Sequence, residues 1–316
     1  MRNVFDEVVA AEARIRPYAR RTPLDAAIGL SDTARVFLKL ENLQATGSFK
    51  LRGALNKLLT LDETHRRRGL ITASTGNHGL AVAHALQTLG LRGSIYLPET
   101  ASPQKLALLR RYDVDLIFHG TDGVEAEREA RRVSEEEGQV YISPYNDPHV
   151  VAGQGTIGVE VLDELDGVDC VMASVGGGGL IAGVGGYLKA VRPGVEIIGC
   201  LPMNSRVMYE SIRAGAIVEM ASLPTLSDGT AGGVEAGTIT FDLCRQVVDD
   251  WVLVEEEAIG PAMKHIFDAH RLVVEGSAGV TVAAFLQIKK RLAGKTVALI
   301  LCGGNIDIEK FKKVVW

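Results

Sequence analysis

Cysteine is scarce and scattered in this chain. Cys170, Cys200, Cys244 and Cys302 are the only four, and no CxxC pair or metal-type cluster joins them. Long apolar runs are also missing. None approaches the ~20 residues that cross a bilayer, so no membrane partner is expected. The N-terminus carries Asp6, Glu7 and Glu12 and no apolar signal region, which leads to the expectation of a cytoplasmic protein. An excess of positive charge is lacking too: the formal net charge is −5, which argues against nucleic acid as a partner. Two basic clusters exist, His65 with Arg66, Arg67 and Arg68, and Arg128 with Arg131 and Arg132. Acidic residues interleave with both, so they read as solvated helix faces. There is no repeat and no low-complexity tract.

What is present is ordinary for a compact α/β enzyme: 47% hydrophobic residues, 23% charged, and 35 glycines. A chain of 316 residues exceeds one ordinary core. Strand-like runs at 36–40, 69–73, 94–97, 114–118, 168–175, 195–201, 251–253 and 296–301 alternate with helical patterns at 50–61, 79–89, 103–112, 123–136, 180–191 and 256–270. Such alternation means crossover units and a mostly parallel sheet. The block 50–149 holds its own strands and is expected to form a small mobile domain. Residues 1–49 and 150–316 then form the larger one. The predicted fold class is α/β, with two open, mostly parallel twisted sheets flanked by helices.

The most informative local feature is Gly176-Gly177-Gly178-Gly179, between a strand-like run and a helical one. Bare backbone at a strand-to-helix turn lets successive amides converge on an anion, and a phosphate is the obvious guest. A flexible turn or a close helix–sheet contact accounts for the same residues. No Lys-Ser/Thr pair follows, so this is not a P-loop. Lys50 is the second feature. It follows Gly47, Ser48 and Phe49 and falls in the first turn of a helix that Thr46 or Ser48 can cap. Cations favour the other end of a helix. The local field and an apolar pocket would lower its pKa toward a usable nucleophile, whereas a solvated surface lysine is the plain alternative.

Together GSFKLRGA at 47–54, STGNHG at 74–79, the four glycines and CGGN at 302–305 resemble the fold-type II pyridoxal-phosphate enzymes, in the branch of threonine/serine dehydratases and serine racemases. The resemblance covers nearly the whole chain. It implies an active site in the cleft between the two domains and pyridoxal 5'-phosphate as cofactor. It implies a β-hydroxy amino acid as substrate, threonine or serine by default, and a homodimer or higher homo-oligomer. Lys50 resembles the lysine that holds the ring as a Schiff base and then removes the α-proton. Phe49 resembles the residue packed on the ring, and Asn77 the one that bonds its hydroxyl. The glycines 176–179 would take the phosphate. Ser74, Thr75, Asn77 and His78 would take the substrate carboxylate through a turn before a helix, His78 serving the turn rather than acid–base work. Gly229 would let the chain approach the cofactor, with Asp228 orienting substrate groups. Cys302 would face the pyridine nitrogen, where a thiol leaves the ring a poorer electron sink than a carboxylate would and favours prompt β-elimination. Glu275 reads equally as a helix-dipole partner or a direct participant.

Three departures narrow the expectation. Thr75 stands where many dehydratases have alanine and the racemases a serine that acts on the opposite face, so its hydroxyl makes it a candidate catalytic residue. Racemase-type relatives bind a divalent cation through carboxylates after the strand at 195–201, but residues 201–207 read LPMNSRV. No metal is expected there. The chain also ends at Trp316, soon after the Gly-Gly-Asn turn, so no regulatory domain is expected. The leading function is a dehydratase, or ammonia-lyase, giving a 2-keto acid and ammonia. The alternatives are a serine-type racemase or a dehydratase of 3-hydroxyaspartate or phenylserine.

Overall fold

The computed structural model describes residues 4–316. Its strands are β1 (Leu24–Ala26), β2 (Arg35–Lys39), β3 (Leu70–Ala73), β4 (Ser94–Leu97), β5 (Asp115–Phe118), β6 (Val140–Tyr141), β7 (Cys170–Ser174), β8 (Glu196–Pro202), β9 (Asp250–Val254) and β10 (Thr296–Ile300). Its helices are α1 (Val4–Ile15), α2 (Lys50–Thr60), α3 (Glu63–Arg67), α4 (Asn77–Thr88), α5 (Pro103–Leu109), α6 (Gly123–Glu137) and α7 (Pro148–Glu164). They continue with α8 (Gly179–Val191), α9 (Val207–Ala214), α10 (Ile239–Val247), α11 (Glu256–His270), α12 (Gly276–Ile288) and α13 (Ile308–Val315).

Two sheets form, as the alternation predicts. One has the order β1-β2-β10-β7-β8-β9 and the other β5-β4-β3-β6. Every pairing is parallel except β1 with β2. The central strands β7 and β10 are buried at every position, as parallel strands covered on both faces must be. The edge strand β5 exposes Asp115 and Phe118. Helix α12 is almost wholly apolar and its first ten residues are buried, whereas α6 carries Glu–Arg pairs along an exposed face. The smaller sheet has its own core, which Leu51, Leu55, Leu58 and Leu86 build with Ile15 and Ala19 from the N-terminal segment.

The structure moves several expected boundaries. The strand read at 168–175 is regular only over β7, although Val175 still donates to the Cys200 carbonyl. The helix read at 103–112 stops at Leu109, because the chain must turn into β5 at Asp115. The helix read from 79 begins at Asn77. Helix α7 is not apparent in the pattern, since Gly153, Gly155 and Gly158 lower helix propensity. Packing explains two of them. A Cβ on Gly153 would lie 2.5 Å from the Arg52 carbonyl oxygen of α2, and one on Gly155 would lie 2.9 Å from that of Gly183 in α8.

The expected cap of α2 is also corrected. Phe49 occupies the N-cap position with no side-chain cap bond, and the Thr46 and Ser48 hydroxyls have no partner among the described residues. The segment 47–49 is held differently. It zips against 302–304 through Phe49 N to Cys302 O at 3.0 Å, Gly304 N to Gly47 O at 2.9 Å, and an antiparallel bridge of Ser48 with Gly303. Gly47 has φ +72°, and a Cβ there would lie 2.6 Å from Asn305 Oδ1. This zipper sets Lys50 beside the end of β10.

Candidate active site

The carboxyl ends of β3, β7 and β10 open onto one cavity of about 890 Å³, where open parallel sheets place their ligands. Phe49, Lys50, Ser74, Thr75, Asn77, His78, the glycines 176–179, Gly229 and Cys302 all line it. The structure thus brings every sequence-predicted site residue to one place.

Lys50 Nζ donates to the Pro144 carbonyl at 2.8 Å and lies 5.2 Å from the centre of the Phe49 ring. No carboxylate pairs with it among the described residues. Burial of the ammonium pushes its pKa from 10.5 down to about 8, against weaker opposing pulls from Cys302 and Glu275.

The glycine loop is clamped from behind. Thr240 Oγ1 donates to Gly177 O at 2.7 Å, and Cys244 Sγ contacts Gly178 O at 3.7 Å. In a trans peptide the N–H points opposite to the C=O, so the amides of Gly178 and Gly179 are turned away from α10. The amides of residues 176–180 donate to no acceptor among the described residues. Unspent donors at the start of the 13-residue helix α8 make an anion cradle. Close packing is also met here. A Cβ on Gly177 would stand 2.3 Å from the Tyr145 ring, and Gly178 has φ +82°. The glycines thus meet a close-packing demand and also leave bare amides at the cavity.

A second set of unspent amides belongs to Thr75, Asn77 and His78 at the start of α4. The turn is tight, since a Cβ on Gly79 would meet the Ser74 carbonyl oxygen at 2.1 Å. Ser74 Oγ accepts from Gly76 N at 3.1 Å. His78 Nε2 lies 2.8 Å from the Ile142 carbonyl, so that nitrogen carries the proton. Burial, with Lys50 nearby, pushes His78 down to about 3. It stays neutral and is no proton carrier near pH 7, which supports the turn role over acid–base work.

Sequence reasoning left Glu275 open and missed several of its neighbours. Glu275 is 7% exposed, and both its oxygens accept from Asn77 Nδ2 at 2.9 Å. Asn305 Nδ2 in turn donates to Asn77 Oδ1 at 2.8 Å. Burial raises the Glu275 carboxyl from 4.5 to about 7, although the Asn77 bond opposes this. The space beside two glycines belongs to this carboxylate. A Cβ on Gly303 would stand 2.9 Å from Glu275 Oε1, and one on Gly229 would stand 3.2 Å from it and 2.7 Å from Ser277 Oγ. Gly229 therefore clears protein side chains on that side. Asp228 pairs with Lys310 Nζ at 2.7 Å at the cavity wall. Ser174 and Tyr145 also line the cavity; nothing local in the sequence marks either.

Comparison with known proteins agrees with this geometry. A family described as pyridoxal-phosphate dependent enzymes matches residues 15–303. An L-threonine ammonia-lyase of Thermotoga maritima is 39% identical over 98% of this chain and 78% of its own length. A catabolic L-threonine dehydratase of Staphylococcus aureus is 38% identical over 98% of this chain and 91% of its own. Among solved structures, processed threonine deaminase isoform 2 from Solanum lycopersicum superposes with TM-score 0.93 at 36% identity, covering 98% of this chain and 92% of that one. Maize serine racemase does so with TM-score 0.92 at 32% identity, covering 98% and 95%. The chain belongs to the pyridoxal-phosphate dependent enzyme family, with the fold-type II architecture. Its residues fit that cofactor. The free amides of the glycine loop suit a phosphate, an unpaired lysine of lowered pKa suits an aldehyde, and a neutral thiol suits an uncharged ring nitrogen.

Proposed function

We propose that this chain is a pyridoxal-phosphate-dependent ammonia-lyase of L-threonine or L-serine, releasing a 2-keto acid and ammonia. The observation that carries the reading is Lys50: a half-buried amine without an acid partner among the described residues, lining one cavity with two clusters of unspent amides. When bound, the cofactor supplies an electron-withdrawing ring that acidifies the α C–H of an amino acid joined to it.

The protein's own residues supply the rest. Lys50 would hold the cofactor through Nζ, and a pKa lowered to about 8 leaves the amine basic enough to take the α-proton while a usable fraction is uncharged near neutral pH. Residues 176–180 would hold the phosphate through backbone amides. The amides of Thr75, Asn77 and His78 orient the substrate carboxylate. Cys302 offers the ring nitrogen a neutral donor, because burial holds its thiol far above the ordinary range. Closure of 50–149 over the rest of the chain would exclude water from the reacting atoms.

Purified protein supplied with pyridoxal phosphate should release keto acid and ammonia in equal amounts from L-threonine or L-serine. Keto acid from neither would overturn the reading. Slow racemisation is the second reading, and one observation favours it: the Thr75 hydroxyl lines the cavity and has no hydrogen bond among the described residues. Chiral analysis of unreacted serine tests it, with Thr75→Ala expected to abolish any D-serine formed.

A further inference from the structure

Ser174 and Cys302 lie at the tips of neighbouring parallel strands, Ser174 closing β7 and Cys302 two residues beyond β10. Ser174 Oγ lies 3.4 Å from Cys302 Sγ, within hydrogen-bond range for sulfur. Ser174 is 5% exposed and Cys302 2%, and both line the cavity. Neither side chain has another hydrogen-bond partner among the described residues.

Each group has one proton and can also accept. Two arrangements exist. In one the thiol proton is used on the serine, and sulfur shows the cavity only lone pairs. In the other the hydroxyl, the stronger donor, is used on sulfur and leaves the S–H free. A ring nitrogen with a lone pair in the cavity selects the second, since only a donor can satisfy it. Bonds in series also reinforce each other, because accepting from Ser174 polarises the S–H further.

We propose that Ser174 is a positioning residue for the cofactor: its hydroxyl donates to Cys302 Sγ and thereby turns the thiol proton toward the ring nitrogen. This rests on the cofactor reading of the cavity. Ser174 then acts through Cys302 and touches neither substrate nor reacting atoms.

The test needs no turnover. In cofactor-free protein the S–H stretching band of Cys302 is assigned by its loss in Cys302→Ser, and pyridoxal phosphate affinity is measured by fluorescence titration. Ser174→Ala should shift that band and weaken cofactor binding about three- to tenfold, the worth of one hydrogen bond. Ser174→Thr, which keeps the hydroxyl, should match wild type on both measures. An unmoved band or an unchanged affinity in Ser174→Ala overturns the proposal. So does a Ser174→Thr protein that behaves like Ser174→Ala, since the loss would then be steric. Failure of the cofactor reading is distinct, because wild type itself would then not bind pyridoxal phosphate.

Discussion

Lys50 and Arg52 are two cations separated by one residue in the first turn of α2, and the protein treats them in opposite ways. Arg52 is wholly buried and fully paired. Its guanidinium meets Glu41 at 2.8 Å and Glu160 at 2.7 Å, and Lys39 reaches Glu160 at 2.7 Å from the other side. Burial works against that charge, but the Glu41 and Glu160 carboxylates hold the Arg52 pKa well above its ordinary value. Lys50 has, among the described residues, the Pro144 carbonyl and the Phe49 ring but no carboxylate, and its pKa falls. The pairing keeps one charge permanent, and its absence leaves the other removable. The paired cation also anchors the helix that carries the unpaired one, joining β2, α2 and α7 in a single buried network.

The sharpest way to break the comparison is to remove the unpaired member. Lys50→Ala should lower keto-acid release at least about a thousandfold, since it deletes both the anchor and the base. The circular dichroism spectrum should stay that of wild type. Borohydride reduction of the wild-type holoenzyme should fix the cofactor to the peptide containing Lys50. Activity at a few per cent of wild type would sink the assignment.

Removing the paired member should harm stability instead. Arg52→Ala leaves Glu41 and Glu160 facing each other without their shared cation, and breaking a buried pair in this way costs roughly 3–5 kcal/mol. Chemical denaturation measures it. A loss below ~1 kcal/mol would show that Lys39 and Arg16, which both reach Glu160, can hold the two carboxylates without Arg52.

The contrast between these residues shows what a sequence can disclose. Lys50, the four glycines and Cys302 were legible because each is a local demand: a turn, bare amides, the end of a strand. The alternating pattern likewise disclosed both sheets. Arg52 was not legible as a network member, because its partner Glu160 lies 108 residues away and meets it only once α7 packs on α2. Ser174 and Cys302 meet only because β10 inserts beside β7. The α2 cap was misread for the same reason, since residues 302–304 satisfy the segment that Thr46 and Ser48 seemed placed to cap. The glycines of α7 look like helix breakers until the neighbouring backbone that they admit is in place.

Glu275 extends the comparison to an anion, buried without a cation in direct contact among the described residues. Its carboxyl is held at about 7 in the folded chain against 4.5 as the ordinary value, so the folded state keeps a proton that the unfolded state releases. The stabilising contribution is complete below about pH 4.5 and is lost as pH rises through about 7. The difference between those two values corresponds to on the order of 3 kcal/mol. Cofactor-free wild type should therefore lose about that much stability relative to Glu275→Gln between pH 4.5 and 7.5. Parallel pH profiles for the two proteins would mean that Glu275 ionises freely in the fold.

The smallest effect expected is none, and it concerns a third cation, Arg206, which is paired where a metal ion would otherwise need ligands. The resemblance read from the sequence would place a divalent ion of a racemase-type enzyme after the strand that corresponds to β8, and a hard ion there needs several oxygen ligands, carboxylates among them. In this chain several oxygens of that segment are already engaged. Met203 O accepts from Arg206 Nη1 at 2.7 Å, Asn204 O accepts from Leu223 N at 2.9 Å, and Ser205 Oγ lies 3.0 Å from Ser222 Oγ. The nearby carboxylate, Glu210, pairs with Arg206 Nε at 2.9 Å. An incoming cation would have to displace a guanidinium from its only carboxylate in the segment. Treatment with EDTA followed by gel filtration should leave keto-acid release unchanged, and added Mg²⁺ should not raise it. If chelation cost most of the rate and Mg²⁺ restored it, the ion would have to be held by residues outside 201–210, and the contrast between paired and unpaired cations would not explain how this site is charged.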